Sequence, residues 1–159
     1  MNYIQSAAGF HINTDPTNSS QTPSNYGPWE MREGALNFID NNKQCSEWLN
    51  SGGGNAHDLM SNVPITLVNA SARDLNPADG QTSTNPRAPI EVVAQGRFYA
   101  NSARGDSLYG YQPGSWGARM TILLHELAHK LNIPKILQDS FSIPQSEKNT
   151  QLLLQHCIF

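Results

Sequence analysis

The sequence predicts an α+β fold in which a small twisted sheet packs on one apolar helix, with further helices toward the N- and C-terminal ends. The apolar helix is predicted at 120–131, a Leu-rich stretch that contains no Gly, Pro or Asn. Runs of apolar and β-branched residues at 64–69 and 90–94 predict strands. A chain of 159 residues fits one domain and can bury a core.

The composition indicates long polar loops around a modest core. Hydrophobic residues make up 38% and charged residues 14% of the chain, and Asn, Ser, Gly, Thr and Pro fill the difference. The net charge is only −3 and no basic cluster occurs, so no nucleic-acid partner is expected. No apolar run approaches the roughly 20 residues that span a bilayer, so membrane insertion is not expected. The composition gives no indication of the oligomeric state.

Residues 1–28 are rich in Asn, Ser, Thr and Pro, and we expect a polar N-terminal arm before a domain at 29–159. The beginning of the chain lacks the charged-then-apolar pattern of a secretory signal. If the protein is exported, we therefore expect the signal to have been removed or to belong to a longer chain.

Three helices are predicted before the first strand. The first is expected to begin near Pro28, since proline suits an early helical position. The second is predicted at 43–49 and ends before the triple glycine at 52–54. Asn55 is expected to cap a short third helix that runs through Met60.

The middle of the chain predicts strands joined by a long polar connection. A strand is expected at 64–69, and the connection 71–89 follows it. Segments 90–94 and 97–100 then read as two strands, or as one strand with a bulge at Gly96.

A Gly-rich loop at 102–117 leads into the apolar helix. Tyr109 or Tyr111 in this loop could donate a hydrogen bond to the oxyanion of a tetrahedral intermediate. Aromatic packing that holds the loop to the domain is the better explanation for either tyrosine, so we assign neither a catalytic role.

The apolar helix is expected to end at Asn132, because asparagine tolerates the left-handed conformation and Pro134 prevents continuation. The last helix is predicted from Ser146, as its N-cap, to about Cys157.

Three polar residues interrupt the apolar helix: His125, Glu126 and His129. Histidines four residues apart project from one face of a helix, so both can bind one zinc ion, while the glutamate can take a proton from a metal-bound water. The alternative is a chance pattern of hydrogen-bonded core residues. Burying three ionisable groups without a metal or partners would be costly, which favours a metal site.

This His-Glu-x-x-His pattern resembles that of the zincin metallopeptidases. The resemblance implies a minimal zincin-like domain, similar to small bacterial ones, in which an edge strand of the twisted sheet lines the substrate cleft. A peptide substrate would then add to that edge by backbone pairing.

A standard metzincin is not expected. In that clan the motif continues to a ligand six residues after the second histidine, where this chain has Lys135. Every methionine also lies at or before Met120, so the downstream methionine turn of that clan is missing.

Two downstream carboxylates are candidates for the third zinc ligand. Asp139 lies in the loop 136–144, whereas Glu147 would already have a role at the positive end of the last helix. We therefore favour Asp139 over Glu147, with His156 as a more distant candidate. Some zincins also use an aspartate as third ligand, although the motif that surrounds theirs is absent here.

The predicted activity is that of a zinc metallopeptidase, a hydrolase that cleaves a peptide or protein substrate internally. Zinc (Zn²⁺) held by His125, His129 and Asp139 leaves a position for water, and Glu126 acts as the general base. A zincin-like metal-binding or interaction module without catalytic activity is the first alternative. A deformylase, which uses the same motif, is the second, but it needs a cysteine ligand on a strand.

Cys45 and Cys157 are the only cysteines, and each falls on the expected inner face of a helix. We predict a disulfide between them, which would stabilise the fold by roughly 4–5 kcal/mol in the chain-entropy model. Such a bond implies an oxidising setting and a secreted or extracytoplasmic protein. Two buried free thiols are the alternative.

Overall fold

A computed structural model describes residues 30–69, 79–99, 106–139 and 142–159, together with the backbone of two short strands at 3–5 and 11–13. The architecture is α+β, as predicted. In chain order the described elements are β1 (Tyr3–Gln5), β2 (His11–Asn13), α1 (Glu30–Asn41), α2 (Lys43–Asn50), α3 (Ala56–Asn62), β3 (Ile65–Val68), β4 (Gly80–Thr82), β5 (Ile90–Val93), α4 (Trp116–Lys130) and α5 (Ile143–His156).

Strands β3, β5 and β4 form a mixed sheet in that spatial order. Strand β3 pairs with β5 in parallel, and β4 pairs with β5 antiparallel, with Gln81 opposite Glu91. Strand β4 is therefore an edge strand. It lies within the segment 71–89, for which a polar connection without a strand was predicted, so that prediction is wrong at 80–82. Its Gly-Gln-Thr sequence carries no apolar alternation, and only pairing with β5 makes it a strand.

The strand predicted at 97–100 is wrong for 97–99, and Ala100 lies outside the described residues. The chain turns at Gly96, whose N–H donates to the Val93 carbonyl (3.0 Å). The Arg97 N–H then donates to Oδ1 of Asp79 (2.7 Å), and its Nη2 contacts Oδ2 of the same carboxylate (2.6 Å). Side-chain contacts thus replace the ladder bonds that a strand would make.

Helices α1, α2 and α3 confirm the helical N-terminal part of the domain. The Asn55 side chain caps α3 by accepting from the Asp58 N–H (3.0 Å), as predicted. The predicted start of α1 near Pro28 lies outside the described residues. So does most of the arm 1–28, within which β1 and β2 pair antiparallel.

Helix α4 is the central element of the fold, and every residue from 117 to 130 is buried. It begins four residues earlier than predicted, because Ser115 caps it and Gly117 continues it beneath the ring of Tyr111. Its end follows the prediction, with Asn132 in the left-handed conformation at φ 51°. A Cβ atom on Gly52 would lie 1.9 Å from the Leu131 carbonyl oxygen, so the triple-glycine loop packs directly on this end.

Helix α5 begins at Ile143 with Ser142 at the N-cap position, so the predicted N-cap at Ser146 is wrong. Pro144 is tolerated because the first turn of a helix lacks intrahelical N–H bonds. At the other end of α5, Cys157 forms the predicted disulfide with Cys45 in α2. Both cysteines are fully buried, so this bond fixes α5 to the N-terminal helices.

Candidate metal centre

His125 and His129 lie one turn apart on α4, and both imidazoles face the same cavity. Their Nε2 atoms are 3.1 Å apart, and both residues are buried. The helical spacing that the sequence indicated thus brings two ring nitrogens together.

Asp139 comes from the segment that doubles back after α4. The reversal uses two residues with positive φ, Asn132 and Lys135. It brings Oδ2 of Asp139 to 3.0 Å from Nε2 of His125 and Oδ1 to 3.2 Å from Nε2 of His129. His125, His129 and Asp139 form a group that could hold a metal ion.

The other two candidate ligands lie away from this group. Glu147 is exposed in the second turn of α5, and the helix start at Ile143 removes the N-terminal role that the sequence suggested for it. His156 stacks on Trp48, with ring centroids 5.1 Å apart. A deformylase-type cysteine ligand is also missing, since both cysteines of the chain are joined in the disulfide.

The separations within the group fit one small cation. Nitrogen and oxygen ligands of zinc lie about 2.0–2.2 Å from the ion, so two such atoms in a tetrahedral site are roughly 3.3–3.5 Å apart. The observed separations of 3.0, 3.1 and 3.2 Å are slightly shorter, and small side-chain movements would accommodate an ion. Two imidazoles and one carboxylate are a donor set that zinc accepts.

The electrostatics of the group follow from burial and from the mutual contacts. Burial lowers the pKa of His125, although its hydrogen bond with Asp139 opposes that effect. Burial raises the pKa of Asp139, but its hydrogen bonds with His125 and His129 outweigh burial and hold the pKa well below its usual value. The group therefore contains a charged carboxylate beside two imidazoles, which is favourable for a cation.

Glu126 is also buried and lines the same cavity. Burial raises the pKa of Glu126 to about 8, and the charge of Asp139 contributes in the same direction. The backbone of β4 approaches its carboxyl group closely, since a Cβ on Gly80 would lie 3.2 Å from Oε1. A carboxyl with a pKa near neutrality next to an ion site has the protonation properties of a general base.

The cavity has a volume of about 1050 Å³. Strand β4, Glu91 of β5 and residues of α5 are among the parts of the chain that line it. Tyr109 extends the α5 side, and its hydroxyl donates to the carbonyl of Glu147 (3.1 Å). Tyr111 instead packs against Phe159, with ring centroids 6.0 Å apart, so it holds the loop to the domain.

Two residues of α5 that contact the group are not predicted from the sequence. Oγ1 of Thr150 is 2.9 Å from Nδ1 of His125, and Nδ2 of Asn149 is 3.2 Å from Oδ2 of Asp139. Both residues are buried. In the sequence these residues appear only as two polar positions shortly before the apolar run 152–154 of the predicted last helix. That pattern alone does not show which residues they contact.

A comparison of the chain with models of protein families, with curated proteins and with solved structures finds no match. None of the helices in the described part of the chain is long and apolar enough to cross a membrane.

Proposed function

We propose that this protein is a zinc-dependent endopeptidase that uses Glu126 as its general base. The observation that carries the proposal is the convergence of His125, His129 and Asp139 within 3.0–3.2 Å, next to Glu126 in one open cavity. Among first-row metals, two imidazoles and a carboxylate suit zinc, and an open coordination position is typical of catalytic rather than structural sites.

Each residue would have a distinct task. Bound zinc supplies a water of lowered pKa and polarises the scissile carbonyl. Glu126 accepts the proton of the attacking water and passes it to the leaving amine. His125, His129 and Asp139 hold the ion and fix the place of attack relative to Glu126.

The edge strand supports an extended peptide as the substrate. The Val93 N–H donates to the Asp79 carbonyl (3.0 Å), so the residue pair at the start of the β4–β5 ladder is hydrogen-bonded. Because such pairs alternate along an antiparallel ladder, the backbone groups of Gly80 and Thr82 face away from β5. Both residues line the cavity, where a peptide could pair with them.

The disulfide supports an oxidising compartment, because such bonds are rare in reducing cytosol. We therefore propose a secreted or extracytoplasmic setting, in which peptides or proteins outside the cytoplasm are the substrates.

Metal analysis and a peptide-library screen test this function. Wild-type protein should retain zinc and cleave peptides, Glu126→Gln should retain zinc without cleaving, and His125→Ala should lose both. A wild-type protein that holds zinc but cleaves no peptide would indicate a metal-binding module instead. Full cleavage by Glu126→Gln would refute the mechanism.

The third ligand is tested by a matched pair of variants. Asp139→Ala should lose zinc, because it removes the only carboxylate in contact with both imidazoles in the described structure. Glu147→Ala removes an exposed carboxylate that also lines the cavity and should bind zinc as the wild type does. Loss of zinc in Glu147→Ala alone would move the ligand assignment to Glu147.

A further inference from the structure

Thr150 contacts the ring nitrogen of His125 that does not face the metal group. The Thr150 hydroxyl donates to the carbonyl of Ser146 (3.0 Å), one turn earlier in α5. A hydroxyl has a single proton, so its oxygen is left to accept from Nδ1 of His125, 2.9 Å away. In the metal-free protein Nε2 of His125 donates to the Asp139 carboxylate; with an ion in place of that proton, a neutral ring would carry its proton on Nδ1, facing Thr150, and Nε2 would present a lone pair.

That lone pair faces the centre of the metal group. Nε2 of His125 lies 3.1 Å from Nε2 of His129 and 3.0 Å from Oδ2 of Asp139. A neutral imidazole binds a metal through its unprotonated nitrogen, and the bond that the other nitrogen makes selects which one this is. With the opposite tautomer, His125 would present a proton to the ion.

Asn149 acts in the same way on the carboxylate ligand. Its Nδ2 donates to the Leu137 carbonyl (2.7 Å) and to Oδ2 of Asp139 (3.2 Å), and its Oδ1 accepts from the Leu137 N–H (3.2 Å). The side chain is 1% exposed, so these bonds form away from water. They attach the segment that carries Asp139 to α5.

Neither residue is explained by the needs of α5 itself. Thr and Asn are weak helix formers, and their polar atoms are costly to bury without partners. The other buried residue of α5 is Leu153, about one turn after Asn149 and Thr150, and an apolar residue of this kind is what packing alone would favour at all three positions. Thr150 and Asn149 instead direct their polar atoms to His125 and Asp139.

We infer that helix α5 organises the metal centre: Thr150 fixes the metal-binding tautomer of His125, and Asn149 fixes the orientation of Asp139. Both are positioning residues, since neither contacts the ion position itself. The inference rests on the metal site of the proposed function but not on peptide cleavage, because zinc affinity and the His125 tautomer are both measured without a substrate.

The tautomer is tested directly by long-range ¹H–¹⁵N NMR of the imidazoles in zinc-loaded protein. The wild type should show His125 bound through Nε2 and protonated on Nδ1, with an Nδ1 proton that exchanges slowly with water. Thr150→Val, which keeps the shape and removes the hydroxyl, should speed that exchange. Thr150→Ser should restore slow exchange. A wild-type His125 bound through Nδ1 overturns the inference without any variant.

Zinc affinity, measured by competition with a chromophoric chelator, is the second test. Loss of an outer hydrogen-bond partner of a ligand typically weakens metal binding about 10–100-fold, and we expect that range for Thr150→Val and for Asn149→Leu. Thr150→Ser should bind zinc nearly as the wild type does. Thermal unfolding of each metal-free variant establishes that it is folded.

Thr121→Val is the matched control. Thr121 is also a buried threonine whose hydroxyl donates to a carbonyl one turn earlier, that of Gly117 (2.7 Å), so this hydroxyl is bonded to the backbone of α4 rather than to a side chain of the metal group. Its zinc affinity should equal that of the wild type. Wild-type affinity in folded Thr150→Val, or an equal loss in Thr121→Val, refutes the role of Thr150. Failure of the wild type to bind zinc refutes both the proposed function and this inference, whereas zinc binding without peptide cleavage refutes the function alone.

Discussion

Replacing Glu126 by Gln removes an ionisable carboxyl from the cavity while preserving the shape of the side chain. Glu126 is only 6% exposed, and the backbone of β4 lies against it at Gly80. Burial, with a further contribution from the charge of Asp139, raises its pKa from 4.5 to about 8 in the metal-free protein. The substitution should therefore change activity and stability in opposite directions.

The effect on stability follows from this pKa shift. A carboxyl whose folded-state pKa is raised favours folding fully below its unfolded pKa of 4.5, and that contribution is lost as the pH rises through about 8. At pH 7 the loss amounts to about 1.36 × (7 − 4.5), or about 3 kcal/mol. Because Gln does not ionise, metal-free Glu126→Gln should be more stable than the wild type at pH 7 by up to about this amount.

The same substitution should lower activity, and the rise in activation free energy should be similar in size to the gain in folding free energy. A general base contributes roughly 10²–10⁴ in rate, which corresponds to about 3–5 kcal/mol of activation free energy. Glu126→Gln should lose this factor and keep its zinc, since its three ligands are untouched.

Urea unfolding of both proteins in a chelator, at pH 5 and at pH 8, measures the stability difference. Turnover of a cleavable peptide with stoichiometric zinc measures the activity. The gap in stability should widen from pH 5 to pH 8. A gap that is independent of pH would show that the Glu126 carboxyl is not desolvated in the folded protein. Unchanged turnover would show that Glu126 is not the base.

Three further predictions concern the surroundings of the site. Gly80→Ala should lower turnover and retain zinc, because the new Cβ would lie 3.2 Å from the Glu126 carboxyl. Steady-state kinetics and metal analysis measure both effects, and unchanged turnover would contradict the prediction. Replacing Cys45 and Cys157 together by Ala should destabilise the protein by about 5 kcal/mol in the chain-entropy model, given their separation of 112 residues. Equal denaturation midpoints for this double variant and the oxidised wild type would argue against a stabilising bond. Lys130→Met should cost about 2–4 kcal/mol, since the buried Nζ donates to three backbone carbonyls in the segment 83–88 and each would lose a charged donor. A change near zero in urea unfolding would show that water replaces Lys130 at these carbonyls.

The elements that the sequence predicts correctly are those with a strong local pattern. The helix that carries His125 and His129 has apolar residues on all sides, and Asn132 ends it where the pattern predicts. The errors occur where local patterns are weak or ambiguous. Strand β4 has no apolar alternation, and Ser146 resembles an N-cap although the helix already begins at Ile143.

The candidate site shows the same division. From the sequence, Asp139 and Glu147 are the leading candidates for the third ligand, with His156 more distant. Asp139 is favoured because Glu147 has another apparent role, which depends on the wrong helix start, and because a chain that doubles back after the helix could present Asp139. The structure places Asp139 against both imidazoles, because the chain reverses after α4.

The sequence by itself determined the spacing of His125, Glu126 and His129, because helix periodicity is a local property of the chain. It also predicted the pairing of the two cysteines, which needed only their number and their helical settings. Only the tertiary structure decided that Asp139 and Thr150 meet these histidines and that Asn149 contacts Asp139. Those contacts join α4 to α5 and the segment before it, and their geometry depends on how the helices pack rather than on any pattern within one of them.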